Sequence, residues 1–204
     1  MDKILVLCAM GLEAKAVPAR YQTIVTGVGF RNAQRSAAEA IQRYRPDLVL
    51  SIGTCGALDP RLELGTVLSP SAILSPIGNF NCLRLEAQDA VLYSQDRVAV
   101  TVADKRALHG KGASVVDMEA AVIAREAAKA GVQFGCLKAV SDLASEDLPL
   151  DFNLYRGPNG DFRNSRIAFA GIMKIGALMR LQQQSKMAAR QLGEAIDHAI
   201  ANIT

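Results

Sequence analysis

Aromatic residues make up only 5% of this 204-residue chain, tryptophan is absent, and the formal net charge of +3 is spread along it. No run of Lys or Arg is dense enough to follow a phosphate backbone, and few rings are available to stack on bases, so a nucleic-acid partner is not expected. Cysteine is scarcer still. Cys8, Cys55, Cys82 and Cys136 stand far apart, with no C-x-x-C pair and no neighbouring histidine. That spacing suggests neither a zinc site nor a disulfide framework, and the thiols read as reduced, as in a cytoplasmic protein. No apolar run approaches the roughly 20 residues that a membrane helix needs. The opening "MDKILVLCAM" has Asp2 before its apolar stretch and Glu13 and Lys15 after it, and reads as a strand rather than a signal peptide. Nothing calls for a metal or an organic cofactor.

Half of the residues are hydrophobic and 21% are charged, the profile of an α/β protein packed with Ala, Val, Ile and Leu. The length suits one domain over residues 1–204. Ile4 to Cys8 and Thr23 to Val28 are β-rich, and "RNAQRSAAEAIQRYR" between "TGVG" and Pro46 has apolar positions at helical spacing. "DLVLSIG" is a continuous apolar run suited to a strand buried on both faces, and "GTVLSPSAIL", "RVAVTVA" and "VQFGCLKAVSD" read as further strands. After Val116 the period becomes helical through Ala120, Ile123, Ala124 and Ala127, with Gly131 as its stop. The expected architecture is a central mixed, largely parallel sheet flanked by helices, with ligands at the carboxyl ends of the strands. A loop is expected over residues 148–164 and two helices over 165–204. The first of these, "SRIAFAGIMKIGALMRL", is apolar around much of its circumference, which suits burial, a subunit contact or an apolar ligand.

Three acids interrupt strand ends: Glu13 after "ILVLCAMGL", Glu119 after "SVVDM" and Asp142 after "CLKAVS". If these strands leave the sheet at one edge, the three carboxyls converge on one pocket. Each has a plain alternative in helix capping or first-turn dipole stabilisation. Glycine-bearing turns beside them favour a site when the three are taken together.

"AMGLEAKAV", "TGVGFRNAQ", "SIGTCGALDPRLELGTVLSP", "VVDMEAAVIAREA" and "LKAVSDLA" resemble, in order and spacing, the purine nucleoside phosphorylase and methylthioadenosine/adenosylhomocysteine nucleosidase superfamily. The resemblance runs from Lys3 to about Phe152, and "DMEAA" followed by "SD" is its most specific part. It implies an enzyme that cleaves the bond between a ribose carbon and a purine nitrogen. The base then leaves as an anion unless protonated, while the sugar gains oxocarbenium character. By the resemblance Asp142 is the acid that protonates purine N7, held by Ser141, and Glu119 accepts hydrogen bonds from the ribose hydroxyls. Met118 is an apolar wall against the sugar. Thr54 and Gly56 line the acceptor and sugar end, the glycine permitting close approach of the backbone. Asp117, often Glu in the nucleosidases, is either a helix cap or a sugar contact, and Lys138 stands where nucleosidases often have Arg.

The acceptor is the dividing question. Glu13 matches the nucleosidase acid that activates water, whereas the familiar bacterial phosphorylases place an Arg two residues before the Gly of "GSCG". Here that position is Ser51. Without the guanidinium a phosphate dianion loses its best partner, which favours water. A phosphorylase drawing its cation from elsewhere, such as Arg31, is the alternative, and a non-catalytic nucleoside-binding module is a third. "GVGFRN" lacks the third glycine of a dinucleotide fingerprint. Cys55 as a nucleophile has no base, since His109 and His198 fall in a polar loop and the terminal helix. Similarity of "AVTVADKRALHGKGA" and "LPLDF" to the hopanoid-associated branch implies removal of adenine from a lipid-linked adenosyl compound. Methylthioadenosine and adenosylhomocysteine are the other substrates in view. The superfamily also implies a homo-oligomer.

Overall fold

The computed structural model describes residues 3–157 and 174–201. Eight strands form one sheet: β1 (Ile4–Cys8), β2 (Gln22–Val25), β3 (Leu48–Ala57), β4 (Val67–Leu74), β5 (Phe80–Asn81), β6 (Gln88–Ser94), β7 (Val115–Asp117) and β8 (Gln133–Asp142). The helices are α1 (Gly11–Ala14), α2 (Phe30–Tyr44), α3 (Val102–His109), α4 (Ala120–Lys129) and α5 (Ile175–Ile200), with a 3-10 turn at Phe152–Tyr155.

The strand order is β2-β1-β3-β7-β6-β4-β5, and β8 pairs with both β3 and β4. Strands β3, β8, β4, β6 and β7 therefore close into a ring. Pairing is parallel for β1 with β2 and β3, β3 with β8, and β6 with β4 and β7; it is antiparallel for β3 with β7 and for β4 with β5 and β8. The sheet is mixed and largely parallel, as the alternation of apolar strands and helices suggests.

Period-two alternation sends β1 side chains to two cores. Leu5 and Leu7 pack with Ala33, Ala37 and Ile41 of α2 and Ile123 and Ala127 of α4. Val6 and Cys8 face the other way, against Ala188, Leu192 and Ile196 of α5. Small residues on α2 and α4 let these helices lie close to each other and to the sheet. Gly131 ends the α4 segment with φ of 68°, a conformation that suits glycine.

Several local expectations change. "RVAVTVA" is not a strand: Thr101 caps α3, its hydroxyl accepting from Asp104 N while the Asp104 carboxylate accepts from Thr101 N. This reciprocal cap offsets the β preference of the valines. The strand in this region is instead β6, which ends nine residues before that run does. The second strand is shorter than expected and stops at Val25. Gly53 and Gly56 lie inside β3.

In the described part of the C-terminal region, α5 continues without a break through Leu181, where two helices are expected. Ile175 and Met179 are exposed, and packing falls on the half from Gln184 onward. Residues 165–173 of the first expected helix and 158–164 of the expected loop lie outside the described residues.

Candidate active site

A cavity of about 550 Å³ opens where β1, β3, β7 and β8 end or bend, and its lining includes Glu13, Thr54, Gly56, Met118, Glu119, Ser141 and Asp142. These are all seven of the positions expected to form the site. Such a volume suits a small organic ligand.

Glu13 leaves β1 on the single turn of α1 and is only 1% exposed. One of its oxygens accepts from Thr54 N at 2.9 Å and from the Thr54 hydroxyl at 3.3 Å; the other accepts from Met10 N at 2.9 Å. Burial raises its pKa, while those donors and the charge of Lys138 hold it down.

Asp142 owes its direction to a β-bulge. Along β3 and β8 the register passes from Cys55↔Val140 to Gly56↔Asp142, which leaves Ser141 as the extra residue. A bulge re-aims the side chain that follows it. The Ser141 hydroxyl lies 3.2 Å from the Cys55 carbonyl oxygen and 3.1 Å from Asp142 Oδ1. Opposite, a Cβ on Gly56 would sit 3.0 Å from Asp142 Oδ2 and 3.3 Å from Val116, so glycine is what lets the acid face the cavity here. Burial raises the Asp142 pKa against the pull of Lys105.

Lys105 is absent from the expected site. It comes from α3, is 1% exposed, and places Nζ 2.6 Å from Asp142 Oδ2. Its sequence setting, "ADKRALH", gives it the look of a solvated helix residue.

Glu119 stands at the start of α4 and accepts from Gly29 N at 2.8 Å. Gly29, with φ of 85°, therefore supports the site rather than merely turning the chain. Asp117 takes the capping role, accepting from Ala120 N at 3.0 Å, and also pairs with buried Lys138 at 2.8 Å. Lys138 also reaches the Ser51 hydroxyl at 3.4 Å. Its charge thus sits behind the site, held by Asp117.

Burial pushes the Glu119 carboxyl up to about 8, with repulsion from Asp117 adding to the effect. Between the ordinary carboxylate value of 4.5 and this raised value, the folded chain holds a proton that the unfolded chain has released. Stability therefore falls as pH rises through that window. Glu119→Gln cannot ionise and keeps an oxygen for Gly29 N. It is expected to melt a few degrees above wild type at about pH 9 and to lose that margin near about pH 5, given about 2–4 °C per kcal/mol at this chain length. Thermal unfolding across pH checks this; a margin independent of pH would mean that Glu119 titrates normally.

Arg31 is exposed on α2 and is not among the described lining residues. Arg97 is the lining cation among them, and it lies 3.2 Å from Asp104. Cys55 lines the cavity, but burial raises its thiol pKa far from a nucleophile's. His109 bonds the Ala113 carbonyl at 2.8 Å and His198 is exposed beside Glu86, both away from the cavity lining. Among the described residues, no group of three or more His, Cys, Asp or Glu is placed to hold a metal ion, and no helix is long and apolar enough to cross a membrane.

A Marinomonas sp. (strain MWYL1) protein named 5′-methylthioadenosine/S-adenosylhomocysteine nucleosidase is 26% identical over 164 residues, 64% of this chain and 71% of that protein. The apo structure of Arabidopsis thaliana 5′-methylthioadenosine nucleosidase superposes with a TM-score of 0.74 at 16% identity, covering 100% of this chain and 96% of the other. Futalosine hydrolase of Helicobacter pylori gives 0.71 at 17% identity, over 98% and 97%. These likenesses at 16% and 17% identity show a shared fold. The sequence profile of the phosphorylase superfamily matches residues 19–90 and 87–160, most of the chain including β3, β7 and the Asp142 bulge; this chain belongs to the phosphorylase superfamily.

Proposed function

We propose that the cavity hydrolyses the N-glycosidic bond of an adenine nucleoside with a 5′-substituted ribose and releases adenine. The observation that carries this is the placing of three buried carboxyls, Glu13, Glu119 and Asp142, in the lining of one cavity. Asp142 serves as the acid for the leaving base, Glu119 binds the ribose hydroxyls, and Glu13 activates water. Met118 walls the sugar, and Thr54 and Gly56 shape the acceptor end, with Thr54 also orienting Glu13.

Water is preferred to phosphate because the acceptor end presents a carboxylate, and the one lining cation among the described residues, Arg97, belongs to the rim. A phosphate dianion beside Glu13 meets like charge, and the Arg97 guanidinium is already paired with Asp104.

The 5′ substituent is apolar in this reading. Leu148 and Phe152 line the cavity, Leu154 is exposed next to them in the chain, and Ile175 and Met179 share with the lining residue Gln182 a stripe at helical spacing. Each methylene buried there contributes roughly 0.8 kcal/mol. A lipid-linked adenosyl substrate of the hopanoid type fits that rim; methylthioadenosine and adenosylhomocysteine are shorter alternatives. Action in the cytoplasm as a homo-oligomer completes the proposal.

The test is adenine release from 5′-alkylthioadenosines of increasing chain length, with and without phosphate. Hydrolysis predicts the unphosphorylated 5-alkylthioribose as the sugar product, no phosphate requirement and kcat/KM rising about 3- to 4-fold per methylene until the rim is covered. Obligatory phosphate and a sugar 1-phosphate product would make it a phosphorylase. Binding without turnover would make it a nucleoside-binding module.

A further inference from the structure

Lys105 carries a further role. Its ammonium has three N–H groups, and three acceptors surround it: the carbonyl oxygens of Leu143 at 2.6 Å and Glu146 at 3.0 Å, and Asp142 Oδ2 at 2.6 Å. The two carbonyls belong to the turn that follows Asp142. One buried cation thus fixes both the backbone leaving the acid and one of its oxygens, while Ser141 bonds the other. A lysine serving only to satisfy the turn would not need to touch the carboxyl.

We propose that Lys105 is a positioning residue for glycosidic cleavage, which holds Asp142 toward the leaving base and sets how readily that acid gives up its proton. This rests on the hydrolytic function proposed above. The groups facing Asp142 are Lys105 from α3, Glu146 across the turn and the Cys55 thiol on β3; Glu13, Asp117, Glu119 and Arg97 share the cavity, and Arg180 of α5 stands 3.8 Å from Glu146. Among the charges acting on Asp142, Lys105 lowers its pKa and Glu146 raises it.

The sign follows. Asp142 works protonated, so kcat/KM falls as pH rises through its pKa. Deleting the Lys105 charge raises that pKa and moves the alkaline limb to higher pH. It also makes Asp142 a weaker and less firmly held acid, which lowers the plateau.

Lys105→Gln is the first variant. Its kcat for adenine release is expected to fall about 10- to 100-fold with KM within about 3-fold, and its alkaline limb to move up by about one pH unit. Lys105→Arg keeps the charge and is the second variant, needed if the glutamine variant does not fold. Its limb is expected at the wild-type pH, and its kcat below wild type because a planar guanidinium cannot reproduce the three-way ammonium geometry. A limb that stays put in Lys105→Gln, or moves in Lys105→Arg, overturns the proposal, as does a glutamine variant with lower melting temperature but undiminished kcat. Failure of the wild type to release adenine would instead reject the hydrolytic function itself.

Discussion

Glu13→Gln is expected to slow hydrolysis by about 10²- to 10⁴-fold while KM stays within about 3-fold of wild type. An ionised carboxylate offers about four acceptor directions, and Thr54 N, the Thr54 hydroxyl and Met10 N occupy three of them. One direction is left, on the oxygen that Met10 binds, and a water held there can pass its proton to Glu13 as it attacks the ribose carbon. Glutamine has no proton-accepting oxygen of comparable basicity. It also turns an NH₂ group toward either the Met10 or the Thr54 N–H, donor against donor, which costs about 1–3 kcal/mol. No longer burying an ionisable group offsets part of that loss, so the variant should fold.

The acid limb of the pH profile gives a second reading of the same substitution. Glu13 acts ionised, so in the wild type activity rises with pH through its pKa, which burial places above the ordinary carboxylate value. That limb should vanish in Glu13→Gln. Steady-state kinetics with saturating nucleoside across pH measure both effects. A variant that hydrolyses at nearly the wild-type rate, with its acid limb intact, would show that some other group activates water.

Much of this site is legible in the sequence because its acids follow strands whose apolar runs are unmistakable. Glu13 comes just after Ile4–Cys8, Glu119 starts the helix after Val115–Asp117, and Asp142 ends Gln133–Asp142. Other features depend on tertiary contacts that no local pattern records. Lys105 lies in a polar helical stretch, and only the packing of α3 against the turn after β8 makes it a buried partner of Asp142. The Ser141 bulge is likewise a property of two paired strands rather than of either one alone. Asp117 could be a cap or a ligand by sequence; the register that sets Lys138 opposite Gly53 brings the ammonium to it.

Where secondary structure departs from expectation, the competing force is identifiable. Alternating valines in "RVAVTVA" favour a strand, but the two-way Thr101–Asp104 cap starts a helix two residues before the run ends. In α5 no glycine or proline follows Leu181 until Gly193, so nothing interrupts the helix where two were expected. Gly193 lies within α5 without ending it, and close contact with the segment after α1 requires glycine there, since a Cβ would collide with the Ala16 carbonyl.

Asp142→Asn should have an equally large effect, lowering kcat about 10²- to 10⁴-fold, because the amide can still donate a hydrogen bond to N7 but cannot transfer a proton to it. Binding of the intact nucleoside should therefore survive. The amide also leaves the Lys105 ammonium with a neutral partner in a buried setting, so a lower melting temperature is expected and must be measured separately from the rate. A substrate change isolates the chemical step. In a 7-deaza nucleoside N7 is replaced by a carbon that accepts no proton, so the wild type should cleave it slowly. If Asp142 acts through N7, the enzyme and substrate changes remove the same interaction, and together they should slow the reaction little more than either alone. Independent losses, with the two factors multiplying, would mean that Asp142 acts elsewhere on the substrate and that the leaving base obtains its proton by another route.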